Sequence, residues 1–238
     1  MSRLSSAVIT LFWCGNLFLW ISGGAMADGM EPETSVVILY EENGEATINV
    51  KNTDAGPALL HSVIQNIPED PEPLLIVTPP IARVEPGDTQ LVRFISTLKE
   101  PLKTQRLKRV TFEGIPQVRA EGRATIGITI RQDLPLILHP QGLPRHQEPW
   151  KLLKWTLRGN RLTVHNDSAY VVRMGLEVHL LPSRRPAILP RTYILPGEVL
   201  STSAGEGVAR VSGVEIQPAT VYGYSATAYE ASIVVEAG

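Results

Sequence analysis

Few residues in this chain have the types and spacing that catalysis or metal binding require. The five histidines are scattered, no two of them stand at helical metal-ligand spacing, and Cys14 is the only cysteine. Neither a metal site nor a thiol nucleophile is expected. Ser225 lies in Gly223-Tyr224-Ser225-Ala226-Thr227, which lacks the second glycine and the strand-to-helix context of a nucleophile elbow, so it reads as a strand serine. Gly205-Glu206-Gly207 is too short for a dinucleotide fingerprint and has no helix behind it, so it reads as a loop. Asn166-Asp167-Ser168 spells a glycosylation acceptor, but Asn and Asp at a strand end more often build a turn. No catalytic residue and no cofactor are expected.

The stretch with the strongest pattern is Ala124 to Leu138. Large apolar residues recur at every second position from Ile126 to Ile130 and again from Leu134 to Leu138, the period of a β-strand, so one long strand is predicted. The other face of its first half carries Thr125, Gly127, Thr129 and Arg131, which offer little to pack. The isoleucine row must therefore be buried by something else. Two accounts fit the pattern: an ordinary sandwich strand facing its own core, or an edge strand whose row is meant for another polypeptide.

The elements around it are also strands. Short apolar runs punctuated by turn residues begin with Val36 to Tyr40, the turn Glu42-Asn43-Gly44, and Ala46 to Val50, which together predict a hairpin. Leu59 to Ile67, Leu74 to Val77, Gln90 to Ile95 and Lys108 to Phe112 follow at sandwich-like spacing, and Pro86-Gly87 has the residues of a type II turn. The proline-rich run from His139 to Pro149 reads as a linker or corner. Beyond it, Leu152 to Leu157 and Arg161 to His165 flank Arg158-Gly159-Asn160 as a second hairpin, Val171 to Leu181 makes a long strand, and shorter runs continue to Val235. The fold class is all-β, with domains at 28–140 and 150–238 joined by 141–149.

At 238 residues and 43% hydrophobic composition, the chain is long enough for two cores. Arg3, the apolar run from Ala7 to Ile21 and the triplet Ala25-Met26-Ala27 make residues 1–27 a signal peptide, leaving no membrane span and no cysteine in the mature chain. The net charge of −2 becomes −3 once Arg3 is removed, which suggests no nucleic-acid partner.

One run carries a family likeness. Thr78 to Arg93, with Pro79-Pro80-Ile81-Ala82-Arg83-Val84 and Glu85-Pro86-Gly87-Asp88 at its centre, resembles the central signature of PapD-like periplasmic pilus chaperones. Val110-Thr111-Phe112-Glu113-Gly114-Ile115-Pro116 is similar to that family's next strand, and Asn166-Asp167-Ser168-Ala169-Tyr170 resembles the opening of its second domain's long strand.

The resemblance implies two immunoglobulin-like sandwiches joined at an angle in a boomerang shape. It also implies a periplasmic chaperone that holds incomplete pilin subunits by donor-strand complementation and passes them to an outer-membrane usher. Ile126, Ile128 and Ile130, with Leu134 continuing the row, fall on the subunit-filling positions, which favours the edge-strand account. The short loop Gln117 to Arg123 is similar to that of the branch serving rod-forming pili. The family holds the subunit's terminal carboxylate with an arginine and a lysine whose positions are Val37 and Pro135 here, so both cations are missing. Arg131 is the candidate substitute; otherwise capture rests on the strand and its isoleucines, which is the expectation. The family's interdomain arginine-aspartate bridge falls on His139 and Ala228. An apolar edge also predicts self-association of the free protein. The competing class is a structural or adhesive immunoglobulin-like exported protein with no free donor strand.

Overall fold

The computed structural model describes residues 29–116, 129–205, 210–220, 223 and 225–236. The strands of the first half are β1 (Met30–Pro32), β2 (Val37–Tyr40), β3 (Glu45–Asn52), β4 (Ala58–Asn66), β5 (Leu75–Thr78), β6 (Ile81–Val84), β7 (Thr89–Ser96), β8 (Arg106–Pro116) and β9 (Arg131–His139). They form two sheets, ordered β1-β3-β7-β5 and β2-β9-β8-β4-β6. Period-2 patterning explains the stacking: in β3, Ile48 and Val50 turn inward while Thr47, Asn49 and Lys51 stay in water. Ile48, Val50, Val92 and Phe94 of one sheet share a core with Leu60, Val110, Phe112, Leu136 and Leu138 of the other. Phe94 meets Phe112 edge-on across the layers, ring centroids 6.5 Å apart.

The predicted first hairpin is not one. β2 pairs in parallel with β9, whereas β3 pairs with β7 and β1, so the two runs lie in opposite sheets. Local turn residues misled: Gly44, at φ 69°, ends a single 3-10 turn that carries the chain across the sandwich. The Pro86-Gly87 turn does form, with Gly87 at φ 79° and the Asp88 amide donating to the Glu85 carbonyl at 3.1 Å.

The second half contains β10 (Lys154–Arg158), β11 (Arg161–His165), β12 (Val172–Met174), β13 (Glu177–Leu181), β14 (Arg185–Ile188), β15 (Tyr193–Ile194), β16 (Val199–Ser203), β17 (Gly213–Ile216), β18 (Pro218–Ala219) and β19 (Tyr229–Glu236). Their order is β14-β13-β17-β19-β10-β11-β16 in one sheet and β15-β12-β18 in the other. A second core of Trp155, Leu157, Leu162, Val164, Val178, Leu180, Val214 and Ile216 fills the space between them. The second predicted hairpin forms as β10-β11, with Gly159 at φ 59° in its turn. The long strand expected from Val171 to Leu181 is divided. β12 and β13 belong to different sheets, and at the break the Gly175 amide donates to the Gln217 carbonyl at 2.8 Å. A hydrophobic period cannot report such a switch, because both halves bury alternate residues.

Between the two cores lies a smaller cluster. Val36, Ile67, Leu107 and Ile137 of the first domain close around Val171 of the second, with Ile38, Tyr193 and Leu195 partly buried against it. Polar contacts flank the cluster. The Gln105 amide donates to the Ala169 carbonyl at 2.9 Å, and Glu69 accepts from the Tyr193 hydroxyl at 2.7 Å and pairs with Arg191. The segment 140–148 is tied down rather than loose. Glu41 accepts from the amides of Leu102 and Gln141 at 2.9 and 2.8 Å, and the Arg145 guanidinium lies 4.3 Å over the Tyr40 ring.

Candidate functional site

The edge of β9 sets the geometry of the site. β8 covers one side of β9 along its whole length, from Leu138 opposite Arg106 to Arg131 opposite Glu113. On the other side β2 pairs only with residues 136–139. Residues 131–135 therefore present an outer edge with no strand partner among the described residues, a template for an added strand. Leu134, Leu136 and Leu138 turn into the first domain's core, while Asp133, Pro135 and Ile137 turn the other way, with Ile137 in the interdomain cluster.

The predicted site residues separate along this strand. Ile126 and Ile128 lie outside the described residues. Ile130 precedes β9 and is 38% exposed, an uncovered apolar side chain on the parity of the core-facing leucines. Leu134 is buried in its own domain and contributes to that core rather than to an open row. Arg131 is exposed and donates to Glu113 at 2.8 Å, so its charge already has a partner. Val37 is buried in the core; the residues of this segment that face the second domain are Val36 and Ile38, both apolar. Pro135 is buried opposite Arg109. No basic side chain stands at either family position.

The junction with the second domain follows a route that the sequence did not indicate. His139 is buried, and its Nδ1 is 2.8 Å from Gln105 Nε2 and its Nε2 2.9 Å from the Leu143 carbonyl. Gln105 Oε1 in turn accepts from the Val171 amide at 2.8 Å. His139 thus reaches the second domain through Gln105, while Ala228 stays exposed. Tyr193 is pushed up to about 12 by burial and by its hydrogen bond to the Glu69 carboxylate. Glu69 and Tyr193 are 124 positions apart, and no sequence signal joins them.

A buried charge network braces the start of β8. Lys108 is fully buried on the core-facing side and donates to Asp70 Oδ1 at 2.8 Å and to the carbonyls of Asp70 and Glu72 at 2.7 and 2.6 Å. Asp70 also pairs with Arg106. Burial alone would raise the Asp70 carboxyl, but hydrogen bonds from Arg106 and Lys108 outweigh it and hold the group below its usual range. The remaining motif residues are structural. Asn166 is buried, its amide donating to the Tyr170 carbonyl at 2.8 Å and its Oδ1 accepting from Ser168, as a turn requires. Ser225 forms only an isolated bridge to Ala219. Among the described residues no histidine, cysteine or carboxylate cluster could hold a metal ion, and no helix is long and apolar enough to cross a membrane.

Three comparisons bear on this geometry. Residues 29–144 match the family described as the pili and flagellar-assembly chaperone, PapD N-terminal domain. The chain is 43% identical over 214 residues to the uncharacterized fimbrial chaperone YhcA of Escherichia coli strain K12, covering 90% of this chain and 94% of that one. It is 26% identical over 156 residues to the chaperone protein LpfB of Salmonella typhimurium, covering 63% and 67%. Among solved structures, a chain of the Salmonella enterica SafA pilin–SafB chaperone complex superposes with a TM-score of 0.71 at 19% identity, covering 87% of this chain and 97% of that one. The Escherichia coli chaperone DraB does so at 0.69 and 19%, covering 86% and 98%. At those identities the superpositions speak to the fold, two immunoglobulin-like β-domains.

Proposed function

The chain belongs to the PapD-like family of pilus-assembly chaperones, which are not enzymes, and we propose that it captures fimbrial subunits by lending them the strand that runs into β9. The observation that carries this reading is the outer edge of residues 131–135, unpaired by any described strand, with the exposed Ile130 at its start. Backbone groups along that edge supply hydrogen bonds to an incomplete subunit, and Ile126, Ile128 and Ile130 fill its groove. Leu134 stays with the chaperone's own core and anchors the donor strand at its base. Each isoleucine fully buried in the partner contributes roughly 1.5–3 kcal/mol before the costs of association.

The signal peptide expected at residues 1–27 supports a periplasmic site of action, from which the captured subunit is handed to an outer-membrane usher. The test is co-expression of the full chain with a fimbrial subunit. A soluble one-to-one complex recovered from the periplasmic fraction is the expected result. Two separately folded proteins that never associate would overturn the reading and favour an adhesive or structural role.

A further inference from the structure

The protons of the buried His139 ring are dictated by two backbone groups that cannot exchange their own roles. His139 ends β9 on the parity of Ile137, which lies in the interdomain cluster, so its ring is on the face that meets the second domain. The Leu143 carbonyl can only accept, so Nε2, 2.9 Å from it, carries a hydrogen. The Val171 amide can only donate, so the Gln105 side chain turns its oxygen to Val171 at 2.8 Å and its NH2 to His139 Nδ1 at 2.8 Å. Nδ1 is therefore an acceptor, and the ring is neutral.

A charged imidazole has no place in this arrangement. Protonation puts a second donor on Nδ1, aimed at the Gln105 NH2. Turning the Gln105 amide over gives the ring an oxygen but presents NH2 to the Val171 N–H, so the clash of donors only moves across the joint. His139 and Gln105 are both buried, where a donor left without an acceptor is costly.

The charged and titratable groups on the surrounding elements are engaged elsewhere. Tyr40 of β2 meets the ring with centroids 5.2 Å apart and carries the Arg145 guanidinium at 4.3 Å. Glu41 accepts from the Leu102 and Gln141 amides, and Arg106 of β8 pairs with Asp70 and Glu72. Across the joint, the Tyr170 hydroxyl donates to the Pro144 carbonyl at 2.7 Å, and its ring lies 5.4 Å from that of His146, whose Nδ1 accepts from the Glu148 amide at 3.2 Å. Against its own desolvation, Glu69 is held below its usual range by Tyr193 and Arg191, so that tie between the domains keeps its charge where imidazoles titrate.

We propose that the joint between the two domains is proton-sensitive: charging His139 breaks the bridge through Gln105 to Val171 and loosens the second domain against the first. No bound subunit is needed for this. The end of β9 loses its tie to the second domain in the same event.

NMR on the exported full chain, free of subunit, tests it. At about pH 8 the His139 ring, assigned by its loss in His139→Gln, should show the Nε2–H tautomer, and it should charge as the solution is brought to about pH 5, the span in which imidazoles ordinarily titrate. Two amides cross the joint, Val171 to Gln105 Oε1 and Gln105 to the Ala169 carbonyl. Their exchange protection, corrected for intrinsic pH dependence, should fall about tenfold or more with the midpoint of the ring, the scale of one buried hydrogen bond. Amides within the two cores should keep theirs. Gln105→Glu is the discriminating variant, because a carboxylate accepts from the Val171 amide and from a charged Nδ1–H together. Its joint should be at least as well protected in acid as at the alkaline end. His146→Gln should respond as wild type does. A ring found as Nδ1–H at the alkaline end, a ring that stays neutral throughout, or protection at the two amides indifferent to its charge overturns the proposal. So does acid loosening that persists in Gln105→Glu, or a response lost in His146→Gln, which would assign the switch to His146.

Discussion

Gln105 Nε2 sits 2.8 Å from His139 Nδ1, and the same amide's oxygen accepts from the Val171 backbone at 2.8 Å, so one side chain joins the end of β9 to the second domain. The contact is buried, where an unmet polar group costs about 1–3 kcal/mol. Replacing Gln105 by Leu removes both bonds and strands the His139 nitrogen and the Val171 amide. Both domain cores should persist, while the relation between them loosens. Small-angle scattering should report a broader distribution of dimensions, and the melting temperature should fall only by the few degrees that the lost buried bonds cost. An unaltered scattering profile would mean that the apolar cluster around Val171 sets the domain angle by itself.

Ile128→Asp tests the donor row against a core role. A carboxylate driven into an apolar groove without a partner is strongly unfavourable, so complexes with subunits should disappear while the free protein melts as wild type does. Ile130→Asp should behave alike, because Ile130 is already exposed. Leu134→Asp should instead unfold the first domain, because Leu134 lies in its core. Thermal melts run beside pull-downs separate the three outcomes.

The same exposed edge should make the free chaperone self-associate. Sedimentation velocity should show a species that grows with concentration and dissolves when a subunit is added. A monomer at all concentrations would refute this.

Asp70 is the partner that Lys108 depends on. Asp70→Asn leaves a fully buried ammonium with its carbonyl acceptors but without its counter-charge. Breaking a buried pair in this way costs about 3–5 kcal/mol. Urea unfolding of the first domain should show a lowered midpoint at neutral pH.

The same carboxylate predicts an acid dependence. The Asp70 pKa is lower in the folded chain than its ordinary value, and burial is outweighed there by Arg106 and Lys108. Protons therefore bind the unfolded chain first. The stability it contributes is present above about pH 4 and is lost as pH falls through the folded value. Glu69, held down at the interdomain face by Tyr193 and Arg191 against its own desolvation, adds a loss of the same sign. The melting temperature should drop below about pH 4, and less steeply in Asp70→Asn.

Much of this protein was legible in its residues. The period-2 rows identified most strands, Pro86-Gly87 and Gly159 identified real turns, and the run from Thr78 to Arg93 pointed to the family. Those signals are local: alternation and turn chemistry act over a few residues, so a linear reading finds them. Partnership between strands is not local. The first hairpin failed because β2 has its partner in β9, and the strand from Val171 was divided between two sheets, since alternate burial looks the same in either. The junction was invisible for the same reason, as Gln105 meets Val171 across 66 positions and Glu69 meets Tyr193 across 124.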